Sequence, residues 1–499
     1  MSQLTVEIVM EQIDAVHREL ARMTVDQLMG TPSALNTLDI LQSRPAPLRP
    51  KTLEFLRKSM KSAGSTEEAE RIERIMFACM DLVVEEETAS LGDMLRFYME
   101  RGRMHVGGEK IPALEVVPWL QAQADFDKRE AMQKENSIFL KGIINPMLLG
   151  MLELTVRTVT QRFGYDNYVR YAEAKKQVDF DETAGIMRRY LDTTKDAYLA
   201  GIVPWVEEII GRPFSHLSRY HALYLVRIRR FDEYFSVSDL RELIHRTFQG
   251  LGFVLSARTD VTTDLTVSST KNPNGICIGV EVPGQVHVLV NPVGGLIDAE
   301  TLLHEMGHAY FISHFNPNLP VEYRRLYRSP ALDETYAFFF QDLVENEYWL
   351  TKIAGMPSDK AKELAGLFRT KKLCLIRRHI GKFLAEKELH ESGEIKNPEP
   401  YCRHLEDATG FVYEPVGYLI DMEPDFYALD YLMAWGGAHV LRQFIEMRFG
   451  MGWFEKPEAG EFLKEMASAG RRDPLEKALV SFCGEKPRLP EFTDTEGRR

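Results

Sequence analysis

Two histidines four residues apart, with a glutamate directly after the first, occur at His304-Glu305-Met306-Gly307-His308. On an α-helix, positions four apart share a face, so both imidazoles reach toward one metal ion. Imidazole nitrogen suits Zn²⁺, and a glutamate beside the first ligand is placed to act as base toward a water that the ion activates. The pattern therefore points to one zinc ion and to hydrolysis. Its setting agrees. Asp298 is expected as N-cap and Glu300 as negative charge in the first turn. Leu302, Leu303, Met306, Tyr310 and Phe311 recur at helical spacing, which predicts a core helix over 298–315. Gly307 is a poor helix former, so something is expected to pack closely on its face.

A hydrolytic zinc site usually takes three protein ligands. The downstream candidates are His314, Glu322, Asp333, Glu334 and Asp342. His314, six residues past His308, faces away from the pair if the helix continues. Glu322 lies in a stretch broken by Pro317 and Pro320. Ser329-Pro330 reads as a helix start, N-cap followed by Pro at N1, and puts Asp333 and Glu334 in the early turns. Glu334 is the favoured ligand; its alternative reading is a charge that merely suits the helix dipole.

The elements that must hold these residues are mostly helical. Apolar residues at three- and four-residue spacing predict helices over Gln3 to Met29, Arg49 to Ala63, Thr66 to Arg101, Val116 to Lys134 and Asn136 to Phe163, with a break at Gly107-Gly108. More follow up to Gly250. The pattern changes between about 251 and 295, where Phe253 to Ser256, Gly275 to Val282 and Gln285 to Val290 read as short strands, the last two joined by Pro283-Gly284. The expected fold is mainly α with one small β-sheet, divided into a helical lobe (1–250) and a catalytic lobe (251–499).

Composition bounds the class. The five cysteines are scattered without CxxC spacing, which suggests reduced thiols, a cytoplasmic protein and no cysteine metal site. A net charge of −13 argues against nucleic acid as a general partner. No run of eighteen apolar residues appears, so no membrane span is expected. Residues 1–12 lack the basic and apolar regions of a secretory signal. No obligate protein partner is indicated.

His304 to His308, followed by Ser329-Pro330-Ala331-Leu332-Asp333-Glu334-Thr335, resembles the gluzincin peptidases with large helical folds, the group of thimet oligopeptidase and oligopeptidase F and, more distantly, angiotensin-converting enzyme. In that group the third ligand is a glutamate some two dozen residues past the second histidine; Glu334 lies 26 past His308. Lys271-Asn272-Pro273-Asn274-Gly275-Ile276-Cys277 resembles the group's edge strand beside a deep cleft. Weaker echoes at Phe163 to Tyr168 and Arg448 to Trp453 extend the likeness over roughly residues 115–485. The resemblance implies a large helical zincin, short peptides as substrates, and tyrosines on a late helix that hydrogen-bond the substrate carbonyl. Tyr427 and Tyr431, four apart, fit that place. An O–H donor in a dry site stabilises charge that develops only in the transition state.

Three positions depart from the group's pattern. Ala434 stands where a further tyrosine is usual, Asp421-Met422-Glu423 where a histidine is, and Phe338 where an aspartate often orients a zinc histidine. The leading expectation is a zinc metallopeptidase with His304, His308 and Glu334 as ligands and Glu305 as general base. Tyr431 or Tyr427 would be the oxyanion donor, and Gly275, Cys277 and Gly279 would pair with an extended peptide by strand addition. The alternatives are a helical zinc carboxypeptidase and a catalytically weak zinc protein that binds peptides.

Overall fold

A computed structural model describes residues 4–30, 36–268, 271 and 275–492. Asn272, Pro273 and Asn274, and the start of the first expected helix at Gln3, lie outside these. The architecture is mainly α, as expected. Helix α1 (Val6–Leu28) is capped by Thr5, whose hydroxyl accepts from the Ile8 amide, and α2 (Thr66–Arg101) by Ser65 in the same way. A hairpin of β1 (Arg103–Val106) and β2 (Glu109–Pro112) follows α2, then the long helix α3 (Phe126–Arg162) and α4 (Tyr168–Lys176).

Two expectations for this half are corrected. The sheet beside the active site is not the only one, because Gly107 and Gly108, both at positive φ, close a tight antiparallel turn instead of merely separating helices. No break separates Lys134 from Asn136. The break falls at residues 123–125, where the Asp125 carboxylate caps α3. Helix α3 passes Pro146 directly after one π-helical turn, Leu140–Ile144, and ends in another, Thr158–Arg162. By length and composition α3 is apolar enough to cross a membrane, although Lys141 and Glu153 interrupt its apolar run and hid that property from a count of consecutive residues.

The second half opens with β3 (Val261–Asp264), β4 (Ile276–Glu281) and β5 (Gln285–Leu289), in sheet order β3-β5-β4. β4 and β5 form the expected hairpin around Pro283-Gly284, Cys277 pairing with Val288, while β3 runs parallel to β5. The expected strand at Phe253 to Ser256 is a loop and 3₁₀ turn. Its apolar content serves packing instead, with the buried Phe253 ring against Tyr310 at 5.1 Å.

Helix α5 (Leu296–Ser313) carries the two histidines, and α6 (Ala331–Gln341) carries Glu334. Behind them run α7 (Ser358–Ser392) and α8 (Tyr427–Phe449), the latter with both candidate tyrosines. α5 starts two residues earlier than expected, at a Gly295 N-cap, and its two acidic residues have other duties. The Asp298 carboxylate accepts from the Val293 and Gly294 amides, pinning the preceding loop, and Glu300 is buried against Lys371 at 2.5 Å. α6 begins one residue later than expected, at a Pro330 N-cap. Ser329 Oγ accepts from the Ala331 amide and donates to Asp430 on α8. The Asp430 carboxylate also receives Lys176 of α4 at 2.6 Å, both side chains fully buried, so one acidic residue ties the helical half to the starts of α6 and α8.

Leu303, Met306 and Phe311 of α5 and Tyr336, Phe339 and Phe340 of α6 are at most 1% exposed, each worth roughly 1.5–3 kcal/mol of burial. A single main core runs from α1 through to residues near 479. The α5–α6 contact is set by Gly307. A Cβ there would stand 2.6 Å from the Tyr336 carbonyl oxygen and 2.7 Å from Ala337 Cα, which is the close packing its presence predicted. Gly437 of α8 does the same against Thr335. Gly307→Ala is expected to force α5 from α6, costing about 1–3 kcal/mol and weakening metal retention; denaturant unfolding and metal content measured together check this.

Candidate active site

The two histidines lie one turn apart on α5, their rings 4.9 Å apart and nearly perpendicular. Glu334, in the first turn of α6, turns its carboxylate between them. Glu334 Oε2 is 3.4 Å from His304 Nε2 and 3.6 Å from His308 Nε2. The donor atoms of the three residues lie within 4.8 Å of one another. Bonds of ~2.1 Å at tetrahedral angles would separate ligand atoms by about 3.4 Å, so this spacing suits one metal ion. The Glu334 Oε2 atom is buried and makes no hydrogen bond among the described residues, an arrangement that is costly unless a cation meets it. The residues fit a metal.

The other downstream candidates are engaged elsewhere. His314 Nδ1 bonds the Tyr310 carbonyl at 2.7 Å. Glu322 pairs with Arg71, and Asp342 with Lys372 at 2.7 Å. Asp333, next to Glu334, is held by Arg471, whose Nε–H is shared between its two oxygens at 3.0 and 3.1 Å.

Two uncharged side chains orient the ligands. His304 Nδ1 lies 2.9 Å from Gln341 Oε1 and donates its proton there, so it is Nε2 that would give up a proton and turn its lone pair to a metal. Tyr427 donates its phenol to Glu334 Oε1 at 2.6 Å, leaving Oε2 free. Gln341 did not emerge from the sequence, although it lies seven residues after Glu334, two helical turns on the same face. Phe338, between them, sets its ring edge-on to His304 at 5.2 Å and stacks on Trp435 at 4.8 Å.

The first residues of α8 are held under strain. Asp425 and Phe426, just before Tyr427, have φ of +64° and +52°, a conformation that costs a non-glycine residue about 1–3 kcal/mol. Lys175 of α4 holds Asp425 at 2.8 Å, and Glu386 of α7 accepts the Phe426 amide at 3.1 Å. Tyr431, one turn past Tyr427, has its ring 4.9 Å from that residue's and 5.3 Å from Phe338. Its hydroxyl makes no hydrogen bond among the described residues. Burial, with Glu334 and Glu423 nearby, keeps its pKa well above the usual phenol value, so it remains an O–H donor. His379 of α7, absent from the sequence reading, lies 5.4 Å from the Tyr431 ring; burial beside Lys382 and Arg378 keeps it neutral.

Glu305 is half-buried on the flank of α5. Its Cγ would be 3.1 Å from a Cβ at Gly275, so the edge strand β4 enters directly beside it. The Cys277 thiol is pushed up by burial and by Glu305. The three expected edge residues are not equivalent: the Gly279 carbonyl already accepts from Arg325 Nη1 at 3.0 Å. Because main-chain direction alternates along a strand, Cys277 presents its N–H and C=O to that same open edge.

The structure is similar in fold to PZ peptidase A with an inhibitor: TM-score 0.68, 13% identity, spanning 96% of this chain and 88% of that one. It is also similar to a Bacillus anthracis strain Ames protein assigned as an oligoendopeptidase F: TM-score 0.65, 14% identity, 96% and 86% of the two chains. No protein-family model and no curated protein matches the sequence. The shared fold is that of the group which the motif resembles.

Without metal, burial would lower the pKa of His304, but the Glu334 carboxylate outweighs burial and raises it to about 9. Burial likewise opposes ionisation of Glu334, yet His308 and His304 bring it down to about 2. At pH 7 the metal-free site therefore holds an imidazolium against a carboxylate, and a metal must displace a proton from His304. Raising the pH removes that proton, so apparent affinity should rise about tenfold per pH unit from pH 7 and level off near 9. Calorimetric titration with Zn²⁺ in buffers of different ionisation enthalpy would measure both the slope and the released proton.

Proposed function

We propose that this protein is a zinc-dependent peptidase that hydrolyses short peptides. The observation that carries the reading is the convergence of His304 Nε2, His308 Nε2 and the unpartnered Glu334 Oε2, beside Glu305, in a fold shared with two peptidase structures. Two imidazoles and one carboxylate are a donor set that suits Zn²⁺ and leaves a coordination position open. Zinc held there supplies Lewis acidity toward a water and toward the scissile carbonyl.

The chain's own residues do the rest. Glu305 accepts the proton of the attacking water and passes it to the leaving amine. Tyr431, neutral and without a hydrogen-bond partner among the described residues, donates to the carbonyl oxygen as it gains charge. Tyr427 donates its O–H to Glu334 and holds that carboxylate in place, which leaves Tyr431 as the phenol free to donate to the substrate. Cys277, and Gly275 beside it, offer main-chain groups to an extended peptide lying along β4. Phe338 and Trp435 form a dry aromatic wall behind His304, which strengthens every electrostatic contact within.

Glu305→Gln keeps the shape and removes the base. We expect kcat on quenched peptides to fall about 10²- to 10⁴-fold with one zinc retained; unchanged turnover in that variant would overturn the mechanism. Digestion of a mixed peptide library, with and without chelator, is expected to give chelator-sensitive cleavage, and paired free and C-terminally amidated peptides should be cut alike. Dependence on the free carboxylate would instead mark a carboxypeptidase, and binding without turnover a peptide-binding protein.

A further inference from the structure

We propose that Gln341 is a positioning residue of the metal centre, and that its lack of charge sets how tightly the metal is held. The inference rests on the zinc reading above. Gln341 Oε1 accepts the Nδ1–H of His304 at 2.9 Å, the hydrogen bond that holds the outer nitrogen of that ring. It stands at the last position of α6, so one helix supplies both the third ligand and the group that aims the first.

Among the described residues, no carboxylate takes this place. Phe338, one turn nearer Glu334, fills the space beside the His304 ring with an aromatic edge. Asp342, the next residue along, is turned away into an ion pair with Lys372, which also holds Glu345. The other oriented ligand, Glu334, is likewise held by an uncharged group, the Tyr427 phenol. With neutral imidazoles, the +2 of zinc and the −1 of Glu334 leave the centre at +1, and no negative charge among these orienting groups offsets it.

An amide oxygen polarises an imidazole less than a carboxylate does, so His304 remains a weaker electron donor. Zinc is then bound less tightly than a carboxylate-backed histidine would bind it, and the centre keeps more of its electrophilicity. Removing the acceptor altogether should loosen the ring and cost affinity; making it anionic should raise affinity.

The test uses the full-length chain and zinc itself, by competition with a chromophoric chelator at fixed pH, for wild type, Gln341→Met and Gln341→Glu. Gln341→Met is close to isosteric and is expected to raise the zinc Kd about 10- to 100-fold. Gln341→Glu is expected to lower it below wild type. The visible spectrum of the Co²⁺-substituted protein should broaden or shift in the methionine variant and keep its form in the glutamate variant. Methionine and wild type agreeing in both Kd and cobalt spectrum would overturn the role. So would a glutamate variant that binds zinc more weakly than wild type, which decides the matter alone if the methionine variant fails to fold. A wild-type chain that takes up no stoichiometric zinc overturns the functional reading and this inference together, whereas stoichiometric wild type with indifferent variants overturns only this one.

Discussion

Two helices can share one metal ion only if their backbones come close enough for side chains of different length to meet at a point. Here the distance is fixed at Gly307, where α5 presses on the main chain of α6 at Tyr336 and Ala337. Histidine and glutamate side chains cannot stretch, so a side chain at 307 would push Glu334 away from the two imidazoles. The packing of Thr335 against Gly437 extends the same constraint to α8, which brings the tyrosines. The site is thus a consequence of three close-packed helices, and the aromatic residues around it hold that packing rigid.

Electrostatics then sharpen what packing places. A buried carboxylate with one oxygen turned to two imidazoles calls for a cation, a protonated His304 in the metal-free protein and a metal ion in the loaded one. The fold compensates for it locally: Tyr427 satisfies one oxygen of Glu334 and Gln341 satisfies the outer nitrogen of His304. The backbone strain at Asp425 and Phe426 belongs to the same account. Lys175 and Glu386 hold the chain in a left-handed turn that delivers Tyr427 to Glu334, so two side chains from other helices fix this phenol.

Much of this was legible in the sequence, for physical reasons that also mark where legibility stopped. The spacing of His304 and His308 is a local property of a helix, and Ser329-Pro330 marks a helix start, so α5, α6 and the three candidate ligands could be read from periodicity and capping. Gln341 could have been found by the same rule, since seven residues bring it back to the face of Glu334, but an amide carries no charge and drew no notice. His379 could not be found that way, because it reaches Tyr431 from a helix about fifty residues earlier in the chain. Asp298 and Glu300 were misread for a related reason. Acidic residues in a first turn suit the dipole, and only tertiary structure shows that one ties down a loop and the other meets Lys371. Gly107-Gly108 reads equally well as a break or as a hairpin turn, and π-helical turns that let α3 run on through Pro146 leave no mark on periodicity.

The edge strand bears on what length of peptide the cleft suits. An unpaired β4 would offer its whole length to an extended chain, but the structure covers its far half. Arg325, held by Asp14 of α1, donates to the carbonyls of Gly279 and Val280, and Arg18 and Arg22 of α1 pair with Glu281. Among the described residues, no hydrogen bond engages the outer edge of the half around Cys277, next to Glu305. Pairing along so few residues supplies little main-chain affinity, so binding must lean on contacts close to the metal and on the aromatic wall. A long, unfolded chain would gain no further hydrogen bonds by extending along β4, and it would have to pass α1 to do so. The closing of the strand by α1 and Arg325 thus leaves an extended chain few main-chain partners along β4.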